Sequence, residues 1–246
     1  MLLMSRSIVL LLSLSLGISS VLVAQKTAAT SDTTEPAWMV DLDHRREELV
    51  KRNGPGTDAA LRDQLLAMAD RDQSARGMQH GQPKSKDKLE MATNLAEVDA
   101  GLTAELKEIV TKNGWPTIAL VGIEASNGAM LILTHTADHA WQLSLLPQLE
   151  TLADDGKIDG STLALVIDKE LVAEGKLQRY GSQFRMMDGA MAMFGVEDPG
   201  TLDARRAKVF LPPMDVYKQI LSEMYHVKTT DKIVSATPPA QAPPAQ

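Results

Sequence analysis

The residues with the most chemistry in this chain fall in two short runs. In THTADH, His135 and Asp138 stand three positions apart beside a stretch that is otherwise apolar. In QRYGSQF, Gln178, Tyr180, Ser182 and Gln183 surround Gly181. Imidazole is the side chain best suited to proton transfer near neutral pH, and a nearby carboxylate can orient it and raise its basicity. Spaced i,i+3 on a helix, the two could also share a metal; a histidine that only caps helix-end carbonyls is the structural alternative. YGSQF supplies a phenol and an amide that both donates and accepts, which suits a polar ligand or, equally, a tight turn closed by Gln183. If the two runs line one cleft, His135 is the general base or acid, Asp138 orients it, and Tyr180 or Gln183 stabilises developing charge. Trp115, Asp72, Arg76 and Gln178 are the expected ligand-binding residues around them.

Other chemistries find less support. His44, His80, His135, His139 and His226 are scattered, with no HExxH or comparable ligand spacing, so no metal ligand is assigned. Met186, Met187, Met191 and Met193 could offer thioethers to Cu(I), although methionine more often supplies adaptable packing. There is no cysteine, which excludes a thiol nucleophile and thiolate metal sites. P-loop, GxGxxG and GxSxG patterns are absent, and a nucleophilic serine would have to be Ser126 or Ser182 without local support. No cofactor is indicated.

These residues must be positioned by helices. Aromatics make up only 4% of the chain, so the core rests on Leu, Val, Ile, Met and Ala, a mix that favours helix over sandwich or barrel. The expected fold is mainly α, a single helical domain over 57–226 with at most a small β element near 176–186. The formal charge of -7 and the lack of a basic block argue against a nucleic-acid partner.

At the N-terminus, one positive charge followed by the apolar run Ile8 to Ala24 has the pattern of a secretory signal peptide over 1–24, cleaved after Ala24. The chain is thus expected to be exported, periplasmic or secreted. Alternatively, residues 8–24 stay as an inner-membrane anchor, the only contact with a membrane. Residues 25–56 read as a linker and a peripheral helix, Trp38 to Arg52, capped by Asp41 or Asp43 and stopped at NGPG.

Thr57 caps the next helix, whose stripe Leu61, Leu65, Met68 continues onto Asp72. There the final turns read as solvated, with Asp72 and Arg76 a surface pair, or as the rim of a polar site. Leu89 to Val98 and Thr103 to Lys112 read as two helices parted near Asp99 and Gly101. Asn113-Gly114 stops the second, and Pro116 fixes Trp115 as extended.

Glu124 to Asp138 is predicted as a buried helix with Glu124, Gly128, Leu131, His135 and Asp138 on one face. Gly128 leaves room there for a neighbouring backbone or a ligand. Helices follow over Trp141 to Ala153, with Pro147 in its first turn or kinking it, and over Thr162 to Glu174, capped by Asp159 or Ser161. In the latter, Asp168 interrupts an apolar run and needs a partner, for which Arg205 or Arg206 is expected. Leu177 to Phe184 is extended and RMMDGAMAMF has no clear period. A short helix begins at Thr201. A last amphipathic helix, Met214 to His226, turns Val216, Ile220, Leu221 and Met224 inward, and 227–246 is a disordered Pro/Ala/Gln-rich tail.

LRDQLLAMADRDQSAR, GWPTIALVG, THTAD, DKELVAEGKLQRYGSQF and LDARRAKVFLPPMDVY, in that order over about residues 57–220, resemble the landmarks of a family of uncharacterised bacterial proteins whose domain has no assigned function. In that family's pattern a glutamine and an alanine stand where Thr134 and Thr136 flank His135 here. A threonine stands for Ser182, and an arginine for Lys169. The resemblance implies a site shared with that family, not a reaction. Two functions follow as expectations: a hydrolase or lyase acting on a small polar substrate through a His/Asp pair, or a non-catalytic envelope ligand-binding or interaction module.

Overall fold

A computed structural model describes residues 36–79, 82–83 and 91–236. The readings of 1–24 as a signal peptide, of most of the linker and of the last ten residues lie outside them. The fold is mainly α, with nine α-helices and a small three-stranded sheet among the described residues. None of these helices is long and apolar enough to cross a membrane. By its internal contacts the chain divides into two compact units: a helical unit of 36–166 with 208–211, and a sheet-bearing unit of 167–207 with 212–236.

The helical unit begins with α1 (Ala37–Asn53), which Pro36 precedes at the N-cap in place of Asp41 or Asp43. Asp41 instead pairs with Arg45 one turn on. Next, α2 (Ala59–Ala75) is capped by Asp58, not Thr57, whose carboxylate accepts the Leu61 N–H at 3.0 Å. A two-stranded ribbon, β1 (Met78–Gln79) with β2 (Gln82–Pro83), follows it. The two helices expected on either side of Asp99 are one, α3 (Leu95–Asn113). A glycine inside a helix costs about 1 kcal/mol relative to alanine, too little to break one that buries Leu102, Leu106 and Ile109.

A single turn, α4 (Ile118–Val121), leads through Gly122 to α5 (Ile123–His135). Ala129 through Leu133 are each at most 2% exposed, the all-round burial expected of this segment. The helix ends at His135, because Thr136 turns extended (φ -60°, ψ 141°). Asp138 therefore does not share a helix face with His135; it caps α6 (His139–Asp154). Pro147 sits inside α6 beyond its first turn, at an exposed position. Asp159 caps α7 (Gly160–Ala173) by accepting the Ser161 N–H at 2.8 Å. α2 packs on α5 and on α3, and α3 on α5, so the unit's core is the seam of these three helices.

In the sheet-bearing unit the Met-rich run is a hairpin, β3 (Phe184–Met187) with β4 (Ala190–Phe194), turned at Asp188-Gly189. Met191 and Met193 are buried and Met186 is 40% exposed. Consecutive burial along β4 explains the missing period: a strand covered on both faces does not alternate. Residues 229–234, expected as tail, form β5 (Thr229–Val234), parallel to β4. Thr229, Thr230, Ile233 and Val234 are β-branched and suit a strand. Ala192, Phe194 and Val234 form a core cluster with Val172 and Met187 against it. Between the strands lie a 3-10 turn (Pro199–Thr201), α8 (Leu202–Lys208) and α9 (Met214–Tyr225). The buried residues of α9 are Met214, Tyr217 and Leu221, so its inner face is rotated from the Val216/Ile220 side expected.

Candidate functional site

In the helical unit the apolar stripe of α2 ends on a carboxylate. Leu61, Leu65, Met68, Asp72 and Ala75 are all buried, and the side chain of Asp72 is 1% exposed. The solvated reading of these turns is therefore overturned: Asp72 and Arg76 do pair, at 3.0 Å, but inside the protein. Burying a carboxylate requires partners, and Asp72 has three. Oδ1 accepts from Arg76 Nη1 and lies 2.7 Å from His135 Nδ1; Oδ2 accepts from Gln73 Nε2 at 2.9 Å. Arg76 then reaches α3, donating Nη2 to both oxygens of Asp99 at 2.9 and 3.0 Å. Three helices thus meet at one polar cluster.

The carboxylate on the imidazole is that of Asp72, not Asp138. An oxygen that already accepts from a guanidinium makes Nδ1 the hydrogen-bearing nitrogen, which leaves the lone pair of the neutral ring on Nε2. Among the described residues, two carboxylates, Asp72 and Asp99, share the one guanidinium of Arg76. The His135 side chain is 7% exposed.

Asp138 has a different task. Its Oδ1 accepts the Trp141 N–H at 3.0 Å, capping α6, and its Oδ2 pairs with Lys107 of α3. The Lys107 ammonium, with the Trp141 N–H, holds the Asp138 carboxyl below the usual carboxylate range. Lys107 also lies over the Trp141 ring, 5.3 Å from its centroid. Thr103, one turn before Lys107, donates to the Thr136 hydroxyl at 3.0 Å, and that hydroxyl accepts the Asp138 N–H. Gln142, fully buried, donates to the Leu133 carbonyl at the end of α5. The turn after His135 is therefore tied to both neighbouring helices. Trp115 is buried in the core, with an indole N–H that has no partner among the described residues.

The second run organises the sheet-bearing unit around Asp168, which is fully buried. Its carboxylate accepts the backbone N–H groups of Arg179 (2.6 Å), Tyr180 (2.9 Å) and Ser182 (2.9 Å). Burial pushes this carboxyl up from its ordinary value, against the pull of those three N–H groups. The expected salt bridge to Arg205 or Arg206 is replaced by this backbone cradle, which occupies both oxygens of the carboxylate. Gln178 spends its amide on the fold: Oε1 accepts the Gln183 N–H, while Nε2 donates to the carbonyls of Gln183 and Phe194. Gln183 donates to the Ser182 hydroxyl at 3.1 Å, and Tyr180 is half-buried.

Arg206 is fully buried, which its exposed-looking DARRAK context does not signal. It donates to the carbonyls of Pro212 (2.7 Å) and Tyr180 (2.5 Å) and stacks on the Tyr217 ring at 4.6 Å. Burial lowers it to about 10 and raises the Tyr217 phenol to about 12. Of the sequence-predicted set, Asp72, Arg76 and His135 come together in one unit. Tyr180, Gln183 and Gln178 share one loop in the other. Asp99 and Lys107 are additions, and only the charge of Asp99 beside an assumed helix break hinted at the first.

A family of unknown function, DUF6624, matches residues 59–230, which takes in both the His135 cluster and the Asp168 cradle. The chain belongs to this family. No curated protein and no solved structure matches the chain. DUF6624 thus names a lineage for this fold and leaves its chemistry to be argued from the residues.

Proposed function

We propose that this DUF6624 protein is a hydrolase or lyase acting on a small polar substrate, with His135 as general base or acid and Asp72 as the group that orients it. The observation that carries this reading is the 2.7 Å contact from His135 Nδ1 to a buried carboxylate that is itself fixed by Arg76 and Gln73. Such an arrangement fixes one tautomer and one orientation of the ring, which is what a proton-transferring imidazole requires. The protein is exported, with residues 1–24 removed, and mass analysis of the mature N-terminus tests that part.

The low exposure of the His135 side chain favours a second reading, in which the cluster braces three helices of a non-catalytic envelope ligand-binding or interaction module. One experiment separates them. Wild type and His135→Ala are assayed on nitrophenyl esters, phosphodiesters and glycosides, and their melting temperatures are compared. The catalytic reading expects turnover by wild type that His135→Ala abolishes while the variant remains folded at the assay temperature. Absence of turnover by wild type, with a large fall in melting temperature for the variant, selects the module.

A further inference from the structure

We propose that Gly128 is a positioning residue for the His135–Asp72 pair, an inference that rests on the reading of that pair as the working site. Leu65 and Asp72 are seven positions apart on α2, and Gly128 and His135 are seven apart on α5. Seven residues are close to two helical turns, so each pair lies on one face of its helix. A Cβ placed on Gly128 would stand 3.1 Å from the Ala69 Cβ and 3.5 Å from the Leu65 carbonyl oxygen. Two turns further along both helices, His135 meets Asp72. α2 and α5 therefore run in the same direction in matched register, and their approach at Gly128 sets their spacing at His135.

The backbone of Gly128 does not explain the residue, because its φ is not in the left-handed region. Glycine within a helix sacrifices stability that alanine would keep. What it permits here is contact between α2 and α5 closer than a side chain would allow. Alanine at this position forces the helices apart by a few tenths of an ångström, and a hydrogen bond of 2.7 Å between two helices has little slack to follow.

The test reads the hydrogen bond rather than turnover. Full-length protein labelled with 15N-histidine gives the tautomer of His135 and the solvent exchange of its Nδ1–H. In wild type the ring is the Nδ1–H tautomer with slow exchange. In Gly128→Ala the tautomer becomes mixed and exchange accelerates by about tenfold or more. Ala69→Gly in the same chain removes the opposing methyl and restores the wild-type signature. If Gly128→Ala does not fold, Ala69→Ser places a smaller wedge at the same contact and carries the same expectation. An unaltered His135 signature in whichever single variant folds, or a double variant that folds without restoring it, overturns the proposal. Because no substrate enters the measurement, an inactive wild-type protein with the expected shifts would leave the positioning role standing while removing the catalytic one.

Discussion

Replacing Asp168 by asparagine tests whether the loop after α7 is held by one carboxylate. The change is nearly isosteric and converts one oxygen into an NH2 group. With that group in place of Oδ1, the N–H groups of Arg179 and Tyr180 both lose their short contacts; in place of Oδ2, chiefly Ser182 does. The second orientation is the less costly. It leaves one buried backbone N–H without an acceptor, about 1–3 kcal/mol, and turns a buried side-chain donor towards it at a similar cost. Against this, the ionised carboxylate already carries a desolvation penalty, visible in its upward displacement, that a neutral amide escapes. The expected net loss is about 2–4 kcal/mol. Urea unfolding should show a lower midpoint at unchanged slope, with faster amide exchange at 179, 180 and 182. A variant within about 0.5 kcal/mol of wild type and with unaltered exchange would refute the cradle as the anchor of this loop.

The same carboxyl makes a pH prediction. Its folded value lies above the unfolded one near 3.9, so the native state holds the extra proton between the two. Its favourable contribution is complete below the unfolded value and lost as pH rises through the folded one, and Asp168→Asn should flatten that limb of the stability profile. Asp138 behaves oppositely: its contribution is present above its unfolded value and lost as pH falls through the folded one, and Lys107→Met should raise its NMR-detected titration. Gly181→Ala places a Cβ at φ +70° against the Met214 methyl and 3.3 Å from the Met193 sulfur, and should cost about 2–3 kcal/mol in thermal or urea unfolding. Tyr217→Phe removes a buried hydroxyl with no partner among the described residues and should be neutral or stabilising in the same assay, whereas Arg206→Lys loses the Pro212 bond and the ring stack and should be clearly destabilised.

What the sequence disclosed follows the range of each interaction. The buried helix around Ala129 to Leu133, the cap at Asp159 and the stop at Gly114 depend on neighbours within a turn or two, and all are present. The small β element expected near 176–186 is met by β3, which begins at Phe184, but the strands at 190–194 and 229–234 were not legible, because a strand buried on both faces loses its period and β5 depends on a partner far along the chain. At the site, the residue types were visible but the pairing was not. His135 and Asp138 are close in sequence, yet a turn at Thr136 parts them, while Asp72 arrives from 63 positions away. The stripe of α2 did contain the clue. A carboxylate that falls on the inner face of an amphipathic helix is buried by the same packing that buries its leucines, and it then requires a cation or a donor from across the seam.

The mixed pairing of the sheet also dictates an order of assembly. Across the hairpin, Met187 meets Ala190 after a gap of 190 minus 187, or 3 positions, so β3 and β4 zip as a local event. Met191 meets Thr229 only after 229 minus 191, or 38 positions, a loop closed at greater entropic cost. Refolding of this unit should therefore show early protection in 184–194 and late protection in 229–234. Until β5 docks, one edge of β4 stays open to any other extended chain, which makes that interval the one in which crowded copies are most prone to aggregate.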